Sequence, residues 1–302
     1  MGRITDLLDA IKVEEENTEE IYSIFRLIGD YDIPIIRFFL NPGAALIRQR
    51  VNLRDIDFYK VSELNYPPLL HVRGYERANL PFQPMFYACS FPYGYNDETH
   101  PPRVIALQET SSFFRDKTSR GIERCTVSRW EVVDCIELLA LPFLADYKMP
   151  NNDIQSIKDA WENGLKEYQI NAEGRELIEY MANEIGKNFN SNVEYFKIAN
   201  FVNFLLNVNE KTKDADGVIY PSVPAAGAGI NVAIKPSVVD KKIKFVGAAL
   251  CHLLKRGEQS YLHVMKQSVL VKDGTITYQD KTMIEAEKQM YQTYAKGLFF
   301  IN

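Results

Sequence analysis

The sequence predicts an α+β fold: an early set of strands, a helical block, then a second set of strands. Three observations carry this. Residues 44–51 and 85–91 read as strands and residues 125–141 alternate well enough for one or two more. Residues 152–168, 173–187 and 193–206 carry apolar residues at helical spacing. Residues 217–220, 230–235, 243–254 and 261–271 then return to strand patterning. Strands, helices and strands in blocks, without regular βαβ alternation, are the pattern of an α+β domain.

Taken in order, residues 4–13 and 15–28 read as two short, acidic, amphipathic helices, with Thr18 placed to cap the second. In the strand at 44–51, Arg48 and Arg50 share a face because strand side chains alternate. Residues 101–109 begin with two prolines, which suits the first turn of a helix; a strand is the alternative there. In the segment Asp216-Gly-Val-Ile-Tyr-Pro-Ser222 an apolar strand stops at Tyr220, since proline cannot donate to a ladder, and Ser222 stands at its end. The small residues 225–229 leave room for close backbone approach. Lys272-Asp-Gly-Thr275 reads as a hairpin turn into a strand at 276–278, and residues 283–294 as a last helix. Repeats and low-complexity linkers are absent, so residues 1–302 are expected to form one domain.

Composition limits the function classes. The chain is 46% hydrophobic and 25% charged with a net charge of -5, which argues against non-specific nucleic-acid binding. No apolar run approaches the roughly 20 residues that span a bilayer, and the first residues lack the apolar core of a secretion signal. A cytoplasmic protein without membrane attachment is the expectation. Cys89, Cys125, Cys135 and Cys251 show no CxxC spacing, and His71, His100, His252 and His263 form no HxH or HExxH pattern. Reduced core thiols and structural histidines are the readings, and no metal is assigned.

The candidate chemistry lies in Arg77-Ala-Asn79, Tyr87 and Glu109, with Ser222 and Asn231 downstream. An arginine fork suits phosphate or carboxylate. A strand tyrosine presents a flat ring for stacking on a heteroaromatic group. A buried glutamate can hold sugar hydroxyls and stabilise positive charge at an anomeric carbon. Singly, each of these reads more readily as a surface charge, a core aromatic or an exposed helix residue; it is their order along the chain that points to a site.

In that order they resemble the RES family. The matching pieces are Arg48-Gln-Arg50, Arg77-Ala-Asn79, Tyr87 ten residues after Arg77, Glu109, Gly217-Val-Ile-Tyr-Pro-Ser222 and Gly229-Ile-Asn231. The chain differs in having Glu76 where the family has glycine, and in an insertion at 92–102. The resemblance covers residues 44–236, leaving 1–39 as a helical extension and 241–302 as a strand and helix extension. It implies a split, bent β core like that of ADP-ribosyltransferase toxins, and an NAD-consuming activity: glycohydrolase, phosphorylase or ADP-ribosyltransferase. NAD would be the substrate, not a resident cofactor. Arg77 would hold the pyrophosphate with Arg50 or Arg48 assisting, Tyr87 would stack on nicotinamide, and Glu109 would stabilise the oxocarbenium-like transition state. Asn79, Ser222 and Asn231 would line the pocket. The family further implies a toxin neutralised by a cognate antitoxin protein, with a homodimer also expected. A nucleotide-binding or protein-interaction protein that has lost turnover stays open, motivated by Glu76 and the insertion.

Overall fold

The computed structural model describes residues 2–29, 32–53, 56–90, 102–144 and 152–301. The elements are α1 (Arg3–Ala10), α2 (Thr18–Arg26), β1 (Ile36–Leu40), β2 (Ala45–Val51), α3 (Val61–Leu64), β3 (Phe86–Ser90), α4 (Pro102–Thr110), α5 (Ser112–Arg115), β4 (Arg120–Val132) and β5 (Ile136–Ala140). They continue with α6 (Asn152–Glu167), α7 (Ala172–Ile185), α8 (Phe196–Asn207), β6 (Gly217–Pro221), β7 (Ile230–Ile234), α9 (Pro236–Lys242), β8 (Ile243–Arg256), β9 (Gln259–Lys272), β10 (Thr275–Asp280) and α10 (Glu285–Ala295). The fold is mixed α+β.

All the strands join one open, ten-stranded sheet in the order β1-β5-β6-β7-β3-β2-β4-β8-β9-β10. Among the described residues only β5 and β6 pair as parallel strands; the other ladders are antiparallel. Every residue of β6 and β7 is buried. Helices cover both faces of that part of the sheet, so its strands read as continuous apolar runs and not as alternating ones. On one face Val218, Tyr220 and Ala233 pack with α1, α2, α7 and α8. On the other, Ile219, Val232 and Ile234 pack with Ile154 and Ile157 of α6 and Val239 of α9.

Burial drives the docking of the helices. Phe25, Phe201 and Phe204 are fully buried against one another, with ring centroids 5.2 and 5.3 Å apart from Phe25. Each such side chain contributes about 2–3 kcal/mol. The ion pair tying α1 to α7, Arg3 to Glu173, is 63% and 36% exposed and adds little by comparison.

One joint in the sheet is short. β2 keeps its full ladder with β4, and β3 keeps its full ladder with β7. Among the described residues, β2 and β3 pair between them only at Leu46↔Ser90 and Ile47↔Cys89. Beyond those residues the strands part, and a gap opens between the second half of β2 and the first half of β3. On the face shared by Tyr87 and Cys89, α4 packs over β2 and β3 on one side of the gap. The α7–α8 layer stands on the other.

Several expectations are corrected here. Asn17, not Thr18, caps α2, accepting from the Glu20 amide at 3.2 Å, because the helix begins at Thr18 itself, one residue earlier than a Thr18 cap requires. The extension at 1–39 is not wholly helical. Ile36 to Leu40 form the edge strand β1 on β5, their bulky apolar and aromatic residues suiting a pleated, half-buried surface. The segment 241–302 carries the strands β8 to β10 and the helix α10, and β8 pairs with β4 along the whole of that strand, from Arg120↔Arg256 to Val132↔Ile243. Residues 101–109 form a helix, and the turn at 272–275 is a two-residue hairpin with Asp273 and Gly274 left-handed at φ 50° and 73°. Cys89, Cys125 and Cys251 are free thiols buried on strands. His252 and His263 face each other across β8 and β9 and pack on Tyr291 of α10. His100 and the insertion at 92–102, Pro102 apart, lie outside the described residues. Among the described residues no helix is long and apolar enough to cross a membrane.

Candidate functional site

The gap between β2 and β3 is the floor of a cleft of about 550 Å³. Arg48, Arg50, Arg77, Tyr87, Glu109 and Asn231 all line it, although they come from β2, β3, α4, β7 and the loop before β3. Ser222 and Asn79 stand one step behind the wall, each bonded to a residue that forms it.

Glu109 is the centre of the polar network. It sits in the last turn of α4, half-buried. Its Oε1 accepts from Ser222 Oγ at 2.6 Å and from Asn231 Nδ2 at 2.7 Å. Ser222 is fully buried, so its hydroxyl is spent on holding the carboxylate. Asn231 is in turn fixed by its partner across the β3–β7 ladder, where Cys89 Sγ donates to Asn231 Oδ1 at 3.1 Å. Burial, and then the Glu109 charge, push the Cys89 thiol well up, which keeps it protonated as a donor. Two donors on one oxygen fix the rotamer of Glu109 and leave the other oxygen for a ligand.

The small residues at 225–229 do a different job from the one expected. They do not line the cleft. Ala225 and Ala228 pack with Ile105 and Ala106 of α4, and a Cβ at Gly229 would stand 2.6 Å from the Ile105 side chain. The bare loop lets α4 lie close to β7 and so sets where Glu109 ends. Gly229→Ala is therefore expected to push α4 outward and to lengthen both bonds to Glu109. Its fold should lose about 1–3 kcal/mol by overpacking. Urea unfolding, with a crystal structure of the variant, checks both effects.

The tyrosine and the arginines are also held. Tyr87 OH donates to Asn79 Oδ1 at 2.6 Å and accepts from the Ala78 amide at 3.2 Å, so the Arg77-Ala78-Asn79 segment clamps the ring in place. Burial, then the Glu76 charge, raise the Tyr87 hydroxyl well above its ordinary value, and it stays protonated. Arg77 is buried, with its guanidinium 5.4 Å from the Tyr195 ring centroid and 5.7 Å from that of Tyr220. Its Nη1 bonds to the carbonyls of Ile185 and Lys187 at the end of α7. Arg48 spans the parted strands from the opposite face, donating to Tyr87 O at 2.6 Å and to Leu64 O at 3.1 Å. It thereby supplies a bond that the broken ladder lacks. Burial, then the neighbouring Arg50 charge, bring Arg48 down to about 10, so it remains cationic at neutral pH. Arg50 donates to Glu63 O and lies over Phe58 at 4.7 Å. Both strand arginines thus brace the segment around α3 as well as facing the cleft.

The structure adds residues that carried no signal in the sequence. Tyr75, Tyr195 and Tyr220 give the cleft an aromatic wall beyond Tyr87. Tyr220 lies inside the motif 217–222, but with no role attached; Tyr195 precedes α8 with nothing to mark it. The N-terminal helices pack on α7 and α8, with the connection between them at the rim of the cleft. The connection between α1 and α2 reaches it through Glu16, beside the Tyr75 hydroxyl, which burial and then Glu16 raise to about 12. Glu76 lines the cleft next to Arg77 and is exposed.

The arrangement suits a flat, anionic, heteroaromatic ligand. It provides aromatic walls, three guanidinium groups and one carboxylate held on one oxygen. Comparison of the chain with protein-family models gives no match, and comparison with curated proteins gives none.

Proposed function

We propose that the cleft binds NAD and breaks the N-glycosidic bond to nicotinamide, as a RES-like enzyme with a split β core akin to that of ADP-ribosyltransferase toxins. The observation that carries this reading is Glu109, a carboxylate held by Ser222 and Asn231 on the wall of the cleft that Arg77 and Tyr87 also line. Nicotinamide leaves a cationic ring as a neutral molecule, with the bonding pair going to its ring nitrogen, so the departing group needs no proton. What the reaction needs is a fixed negative charge near the anomeric carbon and a rigid grip on the rest of the substrate. Glu109 would supply the charge. Arg77 would face the pyrophosphate, Tyr87 would stack on the pyridine ring, and the remaining tyrosines would keep water from the reacting face. Water, phosphate or a protein group would receive the ribosyl unit. By the same resemblance the chain would act as a toxin restrained by a partner protein.

Incubation of the purified, folded protein with NAD tests the reading. Free nicotinamide should accumulate over minutes to hours. Unchanged NAD after hours favours a second reading, nucleotide binding without turnover. One observation supports that alternative: the Glu76 carboxylate at the cleft places a negative charge where a pyrophosphate would approach.

A further inference from the structure

Away from the cleft, Cys125 and Cys251 stand directly opposite each other in the β4–β8 ladder, in a register that runs unbroken from Arg120↔Arg256 to this pair. Just before it the Gly257 amide donates to Ser119 O at 2.9 Å. Bonded pairs of an antiparallel ladder recur at every second residue, so Cys125 and Cys251 are themselves a bonded pair. Such pairs set their Cα atoms about 5.5 Å apart, inside the range in which disulfides form. Directly opposed side chains leave the sheet on one face, and these two share a buried cluster with Leu107, Phe113 and Leu253. They are 1% and 3% exposed. A cavity of about 110 Å³ nevertheless touches both, lined also by Asn52, Asp57, Arg124 and Met265. It has room for a few small polar molecules, since a water takes about 30 Å³ of its liquid.

We propose that Cys125 and Cys251 form a redox-modification site, which hydrogen peroxide entering this cavity converts to a disulfide between β4 and β8. One sulfur attacks a peroxide oxygen and the O–O bond breaks. The thiol proton leaves with the departing oxygen as water, and a sulfenic acid remains. The partner sulfur attacks the sulfenic sulfur, the S–O bond breaks, and the second thiol proton leaves in a second water. Two thiols are oxidised to one disulfide and one peroxide is reduced to two waters, so no other reactant is needed. The thiolate is the attacking form. The Cys251 thiol, and then burial, push the Cys125 thiol well up, so the first step is slow at neutral pH. Closing the bridge also draws the Cβ atoms together by up to about 1 Å, and that strain makes the disulfide easy to reduce. The product is a reversible staple between strands far apart in the chain. It ties β8 to β4, the strand on which β2 and the cleft floor are laddered.

The test uses the full chain with Cys135→Ser, which removes the exposed cysteine and keeps the buried ones. The folded protein is held for hours in millimolar hydrogen peroxide, denatured, alkylated and digested. Mass spectrometry is expected to find the Cys125 and Cys251 peptides joined, with Cys89 alkylated as a free thiol. Dithiothreitol before alkylation should separate the joined peptides and return both cysteines to the alkylated form. Adding Cys125→Ser or Cys251→Ser, each shown by circular dichroism to be folded, should abolish the joined product. The wild-type mapping stands by itself should either variant fail to fold. Free, alkylated Cys125 and Cys251 after the treatment overturn the proposal. So does a sulfinic acid on either in place of the bridge, or a bridge that uses Cys89.

Discussion

Glu109→Gln is expected to lower nicotinamide release roughly a thousandfold while affinity for NAD stays within a few-fold of wild type. The substitution is nearly isosteric. Oε1 can still accept from Ser222 Oγ and Asn231 Nδ2, so the side chain should keep its place at the end of α4. What disappears is the negative charge. In the bound substrate that charge has little to act on beyond the pyridinium already present. In the transition state it faces a ribosyl ring carrying a developing cation, and a preorganised charge in a water-poor cleft is strongest there. A thousandfold corresponds to about 4 kcal/mol of lost transition-state stabilisation. Chromatographic assay of nicotinamide together with calorimetry of NAD separates rate from affinity. Normal turnover in this variant means that the catalytic carboxylate lies elsewhere, with Glu98 in the insertion as the next residue to replace.

Arg77→Ala is expected to act twice. The fold should lose about 2–4 kcal/mol, because the Ile185 and Lys187 carbonyls at the end of α7 lose a cationic donor and a buried guanidinium leaves a hole between Tyr195 and Tyr220. Affinity for NAD should fall at least tenfold through loss of the pyrophosphate contact. Arg77→Lys keeps the charge near the α7 carbonyls but not the fork, so it should recover part of the stability and little of the affinity. Urea unfolding and NAD titration below the unfolding range read the two effects. If stability falls and affinity does not, Arg77 is a helix anchor and the phosphate contact belongs to Arg48 or Arg50.

Much of the fold was legible because its signals are local. The long strands β8 and β9, the Asp273-Gly274 turn and the helices α6 and α7 follow from periodicity and turn chemistry within a few residues of their observed ends. β1 was not, since its five residues lack alternation and gain their identity from β5, a hundred positions away. The site was legible as a set of residues, but not as a set of relations. Ser222 and Asn231 are polar residues at strand positions in any reading. That both serve one oxygen of Glu109 depends on how closely α4 lies to β7, and this is fixed by the contact of Gly229 with Ile105. Likewise, nothing local marks Arg77 as the partner of α7 carbonyls or Arg48 as a bridge between parted strands. These are consequences of tertiary approach, which spacing alone does not encode.

The ladder between β3 and β7 joins residues 86–90 to residues 230–234. It therefore bears on when, during synthesis, the cleft can exist. Glu109 has both its donors only once Asn231 has left the ribosome, and the wall behind β2 and β4 closes only when β8 follows. At roughly 5–20 residues per second, a nascent chain that already carries Arg77, Tyr87 and Glu109 spends several seconds with those side chains exposed and unassembled. An unfinished or truncated product lacking β7 has the arginines and the carboxylate but no geometry to join them. Such a chain is expected to release no nicotinamide from NAD however long it survives.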